Sequence, residues 1–169
     1  QGITHVHQFY FNRSLIIIDK LLSLCSEKEM RFLINSQLIN ISKLNRYRPS
    51  VSFPYNPLSG TLYISSQICE ANIFVALKNK LAKLEAIIPL INSRNVTSVN
   101  SATQIPLADN SIDYIFTDPP FGANFSYSEL NYLQESWLRI TTNIQEEAIV
   151  NNSHNKSLED YHSLMTKSL

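Results

Sequence analysis

Four consecutive residues, Asp118, Pro119, Pro120 and Phe121, form the part of the sequence best suited to chemistry. Proline donates no backbone N–H and fixes φ, so two successive prolines make a stiff turn. Each proline also favours extended geometry in the residue before it, which leaves the carbonyls of Asp118 and Pro119 with few local donors. With the Asp118 carboxylate they make a group of acceptors suited to an amine, and Phe121 adds an aromatic face for an unstacked base.

These acceptors predict a particular kind of catalysis. An amine attached to a base ring is a weak nucleophile, because its lone pair is delocalised into the ring. Acceptors around its two hydrogens favour a pyramidal nitrogen, whose localised lone pair can attack an electrophilic methyl group. Such catalysis depends on orientation and electrostatics rather than on a covalent intermediate. As an isolated tetrapeptide, however, Asp-Pro-Pro-Phe is also an ordinary turn, so its context decides.

The flanking residues predict that a strand leads into this motif and that a helix follows it. Residues 112–117 are β-branched and aromatic in a nearly continuous run, which is typical of a strand covered on both faces. Ser126 and Glu129 have the spacing of a capping box, so a helix is expected to begin near Ser126. Ligands bind beyond the carboxyl ends of strands in open α/β sheets, which is where Asp118 is then expected.

The remaining elements follow from hydrophobic periodicity. Helices are expected at 14–25, 28–41, 68–85 and 157–168, strands at 61–64 and 96–99, and a loop at 46–60. In the third of these helices the residues expected to face the core are Phe74, Leu77, Leu81 and Leu84. The alternation of helices and strands predicts an α/β three-layer domain with a mostly parallel sheet, and 169 residues suit a single domain.

The zero net charge of the chain conceals a segregation of charge. Residues 1–100 contain 11 Lys/Arg and 5 Asp/Glu, whereas residues 101–169 contain 3 and 9. Because a long basic stretch without acids includes Lys43, Arg46 and Arg48, these three are candidates for contacts to DNA phosphates. An ordinary solvated loop explains them equally well.

Several kinds of site and location are excluded or disfavoured. Cys25 and Cys69 lack a Cys or His at metal-ligand spacing, so we expect no metal site and two reduced thiols. No apolar run approaches the roughly 20 residues that span a bilayer, and no targeting pattern opens the chain. The sequence therefore predicts a cytoplasmic protein with no membrane partner.

Residues 117–130 resemble the catalytic segment of the DNA N6-adenine/N4-cytosine amino-methyltransferases, whose motif is Asp/Asn/Ser-Pro-Pro-Tyr/Phe. This segment is similar more narrowly to large prokaryotic adenine-specific DNA methylases, and shorter patches at 2–13, 42–49 and 58–64 fit the same group. The resemblance implies a Rossmann-like fold that binds S-adenosyl-L-methionine (AdoMet). It also implies site-specific methylation of DNA, with adenine N6 favoured over cytosine N4, as in restriction-modification systems.

The resemblance assigns roles to individual residues. Asp118 and the Pro119 carbonyl bind the amine within the Asp118–Phe121 motif, and Phe121 packs on the flipped base. The residues expected to line AdoMet are Tyr10, Arg13, Asn100, Ser101 and Asp118. The family's glycine-rich AdoMet loop and the strands after the motif are missing. We therefore expect a fragment with an incomplete sheet, truncated at the C-terminus if not at both ends, whose partners are DNA and the remaining domains of its parent.

Two further functions fit the same motif. RNA guanine-N2 and protein-glutamine methyltransferases use related Asp/Asn-Pro-Pro motifs before a helix. A degenerate methyltransferase-like domain that binds nucleic acid or a protein without catalysis is the third hypothesis.

Overall fold

The structure, a computed structural model, describes residues 2–51, 56–58, 60–90 and 95–168. Its α-helices in these ranges are α1 (Asn12–Leu24), α2 (Lys28–Asn35), α3 (Ile73–Ile87), α4 (Tyr127–Leu138) and α5 (Leu158–Ser168). Short 3-10 helices occur at Val6–Phe9, Ile88–Leu90, Ile144–Glu146 and Asn152–His154. The chain divides into two compact units: the first is Gln1–Ile91 with Leu130–Thr141, and the second is Asn92–Glu129 with Thr142–Leu169.

The predicted α/β, Rossmann-like sheet is absent from the described residues. Helix accounts for 46% of them and strands or bridges for 4%, the latter as isolated antiparallel bridges such as Asn45 to Pro57. The fold prediction is therefore wrong for this structure. A strand needs a neighbour to pair its N–H and C=O groups, and β-propensity alone does not supply one.

The predicted strands are irregular segments, of which 96–99 and 112–117 are exposed, whereas Leu62 and Ile64 pack partly against the core. Val99 is 100% exposed and Phe116 is 86% exposed, and residues 61–64 are likewise not part of any strand. The expectation that residues 112–117 are covered on both faces is wrong, because no layer packs on them. Residues 107–111, which precede the last of these segments, form a turn in which the Ser111 hydroxyl donates to the Ala108 carbonyl at 2.6 Å. The predicted loop at 46–60 contains no helix where it is described, and Ser52–Tyr55 and Ser59 lie outside the described residues.

The predicted helices are present with different ends. Helix α3 begins at Ile73 rather than 68, because the Asn72 side chain caps it by accepting from the Val75 N–H at 3.1 Å. The predicted core stripe of α3 is wrong for Phe74 and Leu81, which are exposed, while Leu77 packs partly against the core and the buried residues are Ile73 and Ala76. Helix α2 ends at Asn35, six residues early, and turns replace its expected last part.

The first unit contains the main hydrophobic core. Its buried members come from the N-terminal segment, α1, α2, the turns after α2, α3 and α4: Phe9, Tyr10, Ile18, Ile34, Leu38, Ile41, Leu44, Ala71, Ile73, Ala76 and Leu133. Burial of one such large apolar side chain contributes about 1.5–3 kcal/mol. In the second unit the buried apolar residue among those described is Ile149. Both cysteines are free thiols, as predicted.

Candidate functional site

The Asp118–Phe121 motif lies in an irregular segment of the second unit that leads into α4. The carbonyls of residues 120–122, at the end of the motif and directly after it, each accept a hydrogen bond. The Tyr161 hydroxyl donates to the Pro120 carbonyl at 2.9 Å, and the Asn124 N–H donates to the Phe121 carbonyl at 3.1 Å. The Val150 N–H donates to the Gly122 carbonyl at 3.2 Å. Residues from α5 and from the segment before it therefore fix the motif's last turn.

The two preceding carbonyls behave differently. Those of Asp118 and Pro119 accept no hydrogen bond from any described residue, and the Asp118 carboxylate makes neither a hydrogen bond nor an ion pair with them. Asp118 is exposed, while Pro119 is half-buried. The predicted acceptors are thus held on a stiff backbone and remain available to a ligand that donates N–H groups.

Aromatic side chains lie exposed around this segment. Phe121 is 69% exposed, and the exposed rings of Phe125 and Tyr127 lie 6.3 Å apart at an interplanar angle of 52°. Gly122 has φ of 55°, a left-handed conformation that costs a side-chain-bearing residue strain even though a Cβ there meets no atom within 4 Å. These faces are large enough to stack on a base.

Glu147 holds the start of α4, which follows the motif. Its two carboxylate oxygens accept from the Ser128 N–H at 2.9 Å and the Ser128 hydroxyl at 2.6 Å. A carboxylate is favourable at a helix N-terminus because it meets unpaired N–H groups and the positive end of the helix dipole. The predicted capping box of Ser126 and Glu129 is not formed. Glu129 instead accepts from the Asn151 amide at 3.1 Å.

A cavity of about 320 Å³ lies beside the motif, within the second unit. Its lining comes from the turn after Phe121 and from residues 149–152: Ala123, Phe125, Ser126, Ile149, Val150, Asn151 and Asn152. The bond from Val150 to Gly122 and a 3.4 Å bond from the Asn151 amide to the Ser126 hydroxyl join its two walls. Asp118 does not line this cavity. The motif is nevertheless adjacent in sequence, because Phe121 is two residues before Ala123, the first lining residue.

Two residues expected to line AdoMet lie in the first unit. Tyr10 is 1% exposed and packs edge-on against Trp137, with ring centroids 5.7 Å apart. Burial raises the pKa of Tyr10 to about 12, and the nearby Trp137 acts in the opposite direction. The ring thus belongs to the core rather than to a ligand surface. Arg13, by contrast, is exposed and forms a two-point ion pair with Glu70, which raises the pKa of the guanidinium above its usual value.

Arg13 and Glu70 line a second cavity, of about 290 Å³, entirely within the first unit. The N-terminal turns of α1 and α3 both contribute to it, through Ser14 and through residues 72–74. Ser14 is 1% exposed, and its hydroxyl makes no hydrogen bond with any described residue. The cavity therefore combines a buried donor, unpaired N–H groups of helix ends and one carboxylate.

The other expected AdoMet residues lie in the second unit and make only local contacts. The Asn100 amide donates to the Ser98 hydroxyl at 2.8 Å, and Ser101 bonds Thr103 at 2.8 Å. Both Asn100 and Ser101 are exposed. The five predicted cofactor residues are therefore divided between the two units.

Two of the three candidate DNA-binding cations have internal partners. Lys43 donates to the Gln8 carbonyl at 2.8 Å, and Arg46 binds Asn56 through its carbonyl and its side-chain oxygen. Arg48 is exposed and has no partner among the described residues. Of this set, Arg48 is the cation most available to a phosphate.

The supporting residues Glu147 and Tyr161 were not predicted, because each acts over a sequence separation that no local pattern reveals.

No described helix is long and apolar enough to cross a membrane. No protein-family model, curated protein or solved structure matches the chain. The resemblance at 117–130 therefore remains a prediction from the residues themselves.

Proposed function

We propose that this protein transfers a methyl group from AdoMet to the exocyclic amine of a DNA base, with adenine N6 favoured over cytosine N4. One observation carries the proposal: the motif's acceptors fall into two sets. The carbonyls of residues 120–122 are engaged within the protein, whereas Asp118 and the Pro119 carbonyl have no partner among the described residues. An exocyclic amine offers two N–H donors, which match these two acceptors.

The chain's own residues have distinct parts in such a reaction. Asp118 and the Pro119 carbonyl accept the two amine hydrogens and localise the lone pair on nitrogen, which is an orienting and electrostatic effect. Tyr161 holds the Pro120 carbonyl, and with it the stiff turn, at a fixed distance from α5. Phe121, which is largely exposed, offers its face to the base ring.

The cavity at the N-termini of α1 and α3 supports AdoMet as the cofactor. Helix N-termini bind carboxylates through free N–H groups, and the buried Ser14 hydroxyl is an additional donor there. Glu70 can accept from an ammonium group only through the lone pairs that its two-point ion pair with Arg13 leaves free. These residues fit the amino-acid end of AdoMet, which when bound supplies an electrophilic methyl group. None of the described glycines lines this cavity, so the fit is to a site without a glycine-rich loop.

We further propose a cytoplasmic location and assign DNA phosphate contacts to Arg48. The Arg48 side chain is exposed and has no partner among the described residues, in a stretch that contains no acidic residue. A single phosphate contact steepens the dependence of binding on salt by about one unit of log–log slope. In the Arg48→Ala variant the dependence of DNA binding on salt should therefore be shallower by about one unit of log–log slope.

Methyl transfer from AdoMet labelled in its methyl group tests the function on DNA, RNA and protein substrates. The Asp118→Ala variant is expected to lose about 100-fold or more in rate on DNA, the size of effect seen when one preorganised polar group is removed. Asp109→Ala is the matched control, because Asp109 is an exposed aspartate in the same unit with no side-chain partner. Equal rates for both variants overturn the assignment, and label found only in RNA or protein replaces DNA as the substrate.

A further inference from the structure

The cavity beside the motif has the composition of a pocket for a planar ring. Ile149, which is almost fully buried, and Val150 give it apolar walls, and Phe125 adds an aromatic face. Small-molecule pockets span roughly 300–1,000 Å³. At about 320 Å³ this cavity lies at the lower limit, which suits a ligand no larger than a single nucleobase or nucleoside.

Hydrogen bonds to three other residues hold one of the cavity's two asparagines, Asn151, in place. The Asn151 amide nitrogen donates to Ser126 at 3.4 Å and to Glu129 at 3.1 Å. The Asn151 side-chain oxygen accepts from the Ser153 N–H at 2.9 Å. Both amide N–H groups of Asn151 are therefore used within the protein, so it has no donor left for a ligand and acts as a support.

The neighbouring Asn152 is in the opposite situation. Its side chain lines the cavity, and its amide makes no hydrogen bond with any described residue. Its backbone carbonyl accepts from the Asn155 N–H at 3.2 Å, which fixes the short 3-10 helix that carries it. A free amide at the edge of an apolar pocket can donate an N–H to a ring nitrogen of a base.

We propose that this cavity binds the base that is methylated, and that the Asn152 amide donates to a ring nitrogen of that base. The inference rests on the proposed function, because the adjacent motif is proposed to bind the amine of that base. Phe125 stacks on the ring, an interaction worth about 1–3 kcal/mol per base. By donating to a ring nitrogen beside the amine, Asn152 fixes the orientation of the ring and leaves both amine hydrogens for the free acceptors of the motif.

Titration of the protein with adenosine, followed by NMR, tests the location. Amide signals of residues 123–126 and 149–152 are expected to shift, with a dissociation constant that rises about tenfold in Asn152→Ala. Ser153→Ala is the control, since Ser153 is the adjacent exposed residue and its hydroxyl has no partner among the described residues. Shifts confined to other residues, or equal affinities for the Asn152 and Ser153 variants, overturn the inference.

Adenosine analogues that lack one ring nitrogen test the hydrogen bond itself. With 1-deaza- and 7-deazaadenosine, the affinity lost on removing the bonded nitrogen should be large in the wild-type protein and absent in Asn152→Ala. Losses that are the same in both proteins for both analogues contradict the role of Asn152. Nucleoside binding here without methyl transfer overturns the proposed function and leaves only a nucleoside site at this cavity. Methyl transfer without binding at this cavity overturns this inference and leaves the proposed function standing.

Discussion

Tyr10 buries a hydroxyl group near the ring nitrogen of Trp137, but no described residue forms a hydrogen bond of good geometry with it. Trp137, which meets it edge-on, likewise has an unpaired buried ring nitrogen. An unsatisfied buried polar group costs about 1–3 kcal/mol. The ring itself is a large apolar contribution to the first unit's core, so the two parts of this side chain act on stability in opposite directions.

The Tyr10→Phe variant separates these two parts. It keeps the ring contact with Trp137 and removes the unpaired hydroxyl, so the free energy of unfolding is expected to rise by about 1 kcal/mol. Tyr10→Ala should instead lower it by about 3–5 kcal/mol, through loss of packing. Urea denaturation monitored by Trp137 fluorescence measures both. A clear loss of stability in the Phe variant would show that the hydroxyl is hydrogen-bonded, either to Trp137 or through water.

At the level of single residues the sequence predicted the free acceptors of the motif but not their supports. Two prolines dictate backbone geometry wherever they occur, so the availability of the Asp118 and Pro119 carbonyls follows from the chain itself. The contact of Tyr161 with Pro120 joins residues 41 positions apart. Such a contact depends on tertiary packing, which no spacing rule contains.

The start of α4 shows how a remote group replaces a local cap. Ser126 and Glu129 had the spacing for a capping box, yet Glu147 occupies the N–H and hydroxyl of Ser128 instead. Since Ser128 is buried, its two donors have no access to water once that carboxylate is removed. The long-range pair therefore matters more to α4 than the local pattern does.

Replacing Glu147 tests this arrangement. Glu147→Ala is expected to lower the free energy of unfolding by about 1–3 kcal/mol, because it leaves buried donors unpaired at a helix N-terminus. Glu146→Ala is the matched control, since Glu146 is the neighbouring exposed glutamate and has no side-chain partner among the described residues. Thermal unfolding followed by circular dichroism measures the difference, and identical midpoints would rule out a capping role.

Helix α5 has the local cap that α4 lacks. Ser157 donates to the Asp160 carboxylate from its N–H at 2.8 Å and its hydroxyl at 2.9 Å, and the Asp160 N–H donates to the Ser157 hydroxyl at 3.2 Å. The predicted helix start at Ser157–Asp160 is thus confirmed. The backbone bond from Ser157, then its side-chain bond, lowers the pKa of Asp160 below its usual value of 3.8.

This pKa gives α5 a definite response to acid. A carboxyl group with a depressed pKa contributes stability that is present above its unfolded pKa and is lost as pH falls through the folded one. Helicity of residues 158–168 should therefore decrease below pH 3.8. NMR titration of the Asp160 carboxyl carbon measures it, and Ser157→Ala should move the midpoint upward. An unchanged midpoint in that variant would refute the capping box.

For the whole molecule, the sequence predicted helices well and the sheet wrongly. A helix satisfies its backbone within one segment, so the apolar periodicity at 14–25 and the Ser157 start were sufficient to locate α1 and α5. A strand requires a partner elsewhere in the chain. The apolar runs at 96–99 and 112–117 met the compositional requirement without that partner, and they remain exposed.

The exposure of residues 112–116 has a consequence for the behaviour of the protein in concentrated solution. Ile112, Tyr114, Ile115 and Phe116 are at least half exposed in a segment of high β-propensity. Identical segments of this kind associate edge to edge between molecules, and a charged residue within them opposes that association. Asp113 is the charged residue in this stretch, so its negative charge is the feature that keeps copies of the chain from aggregating through it.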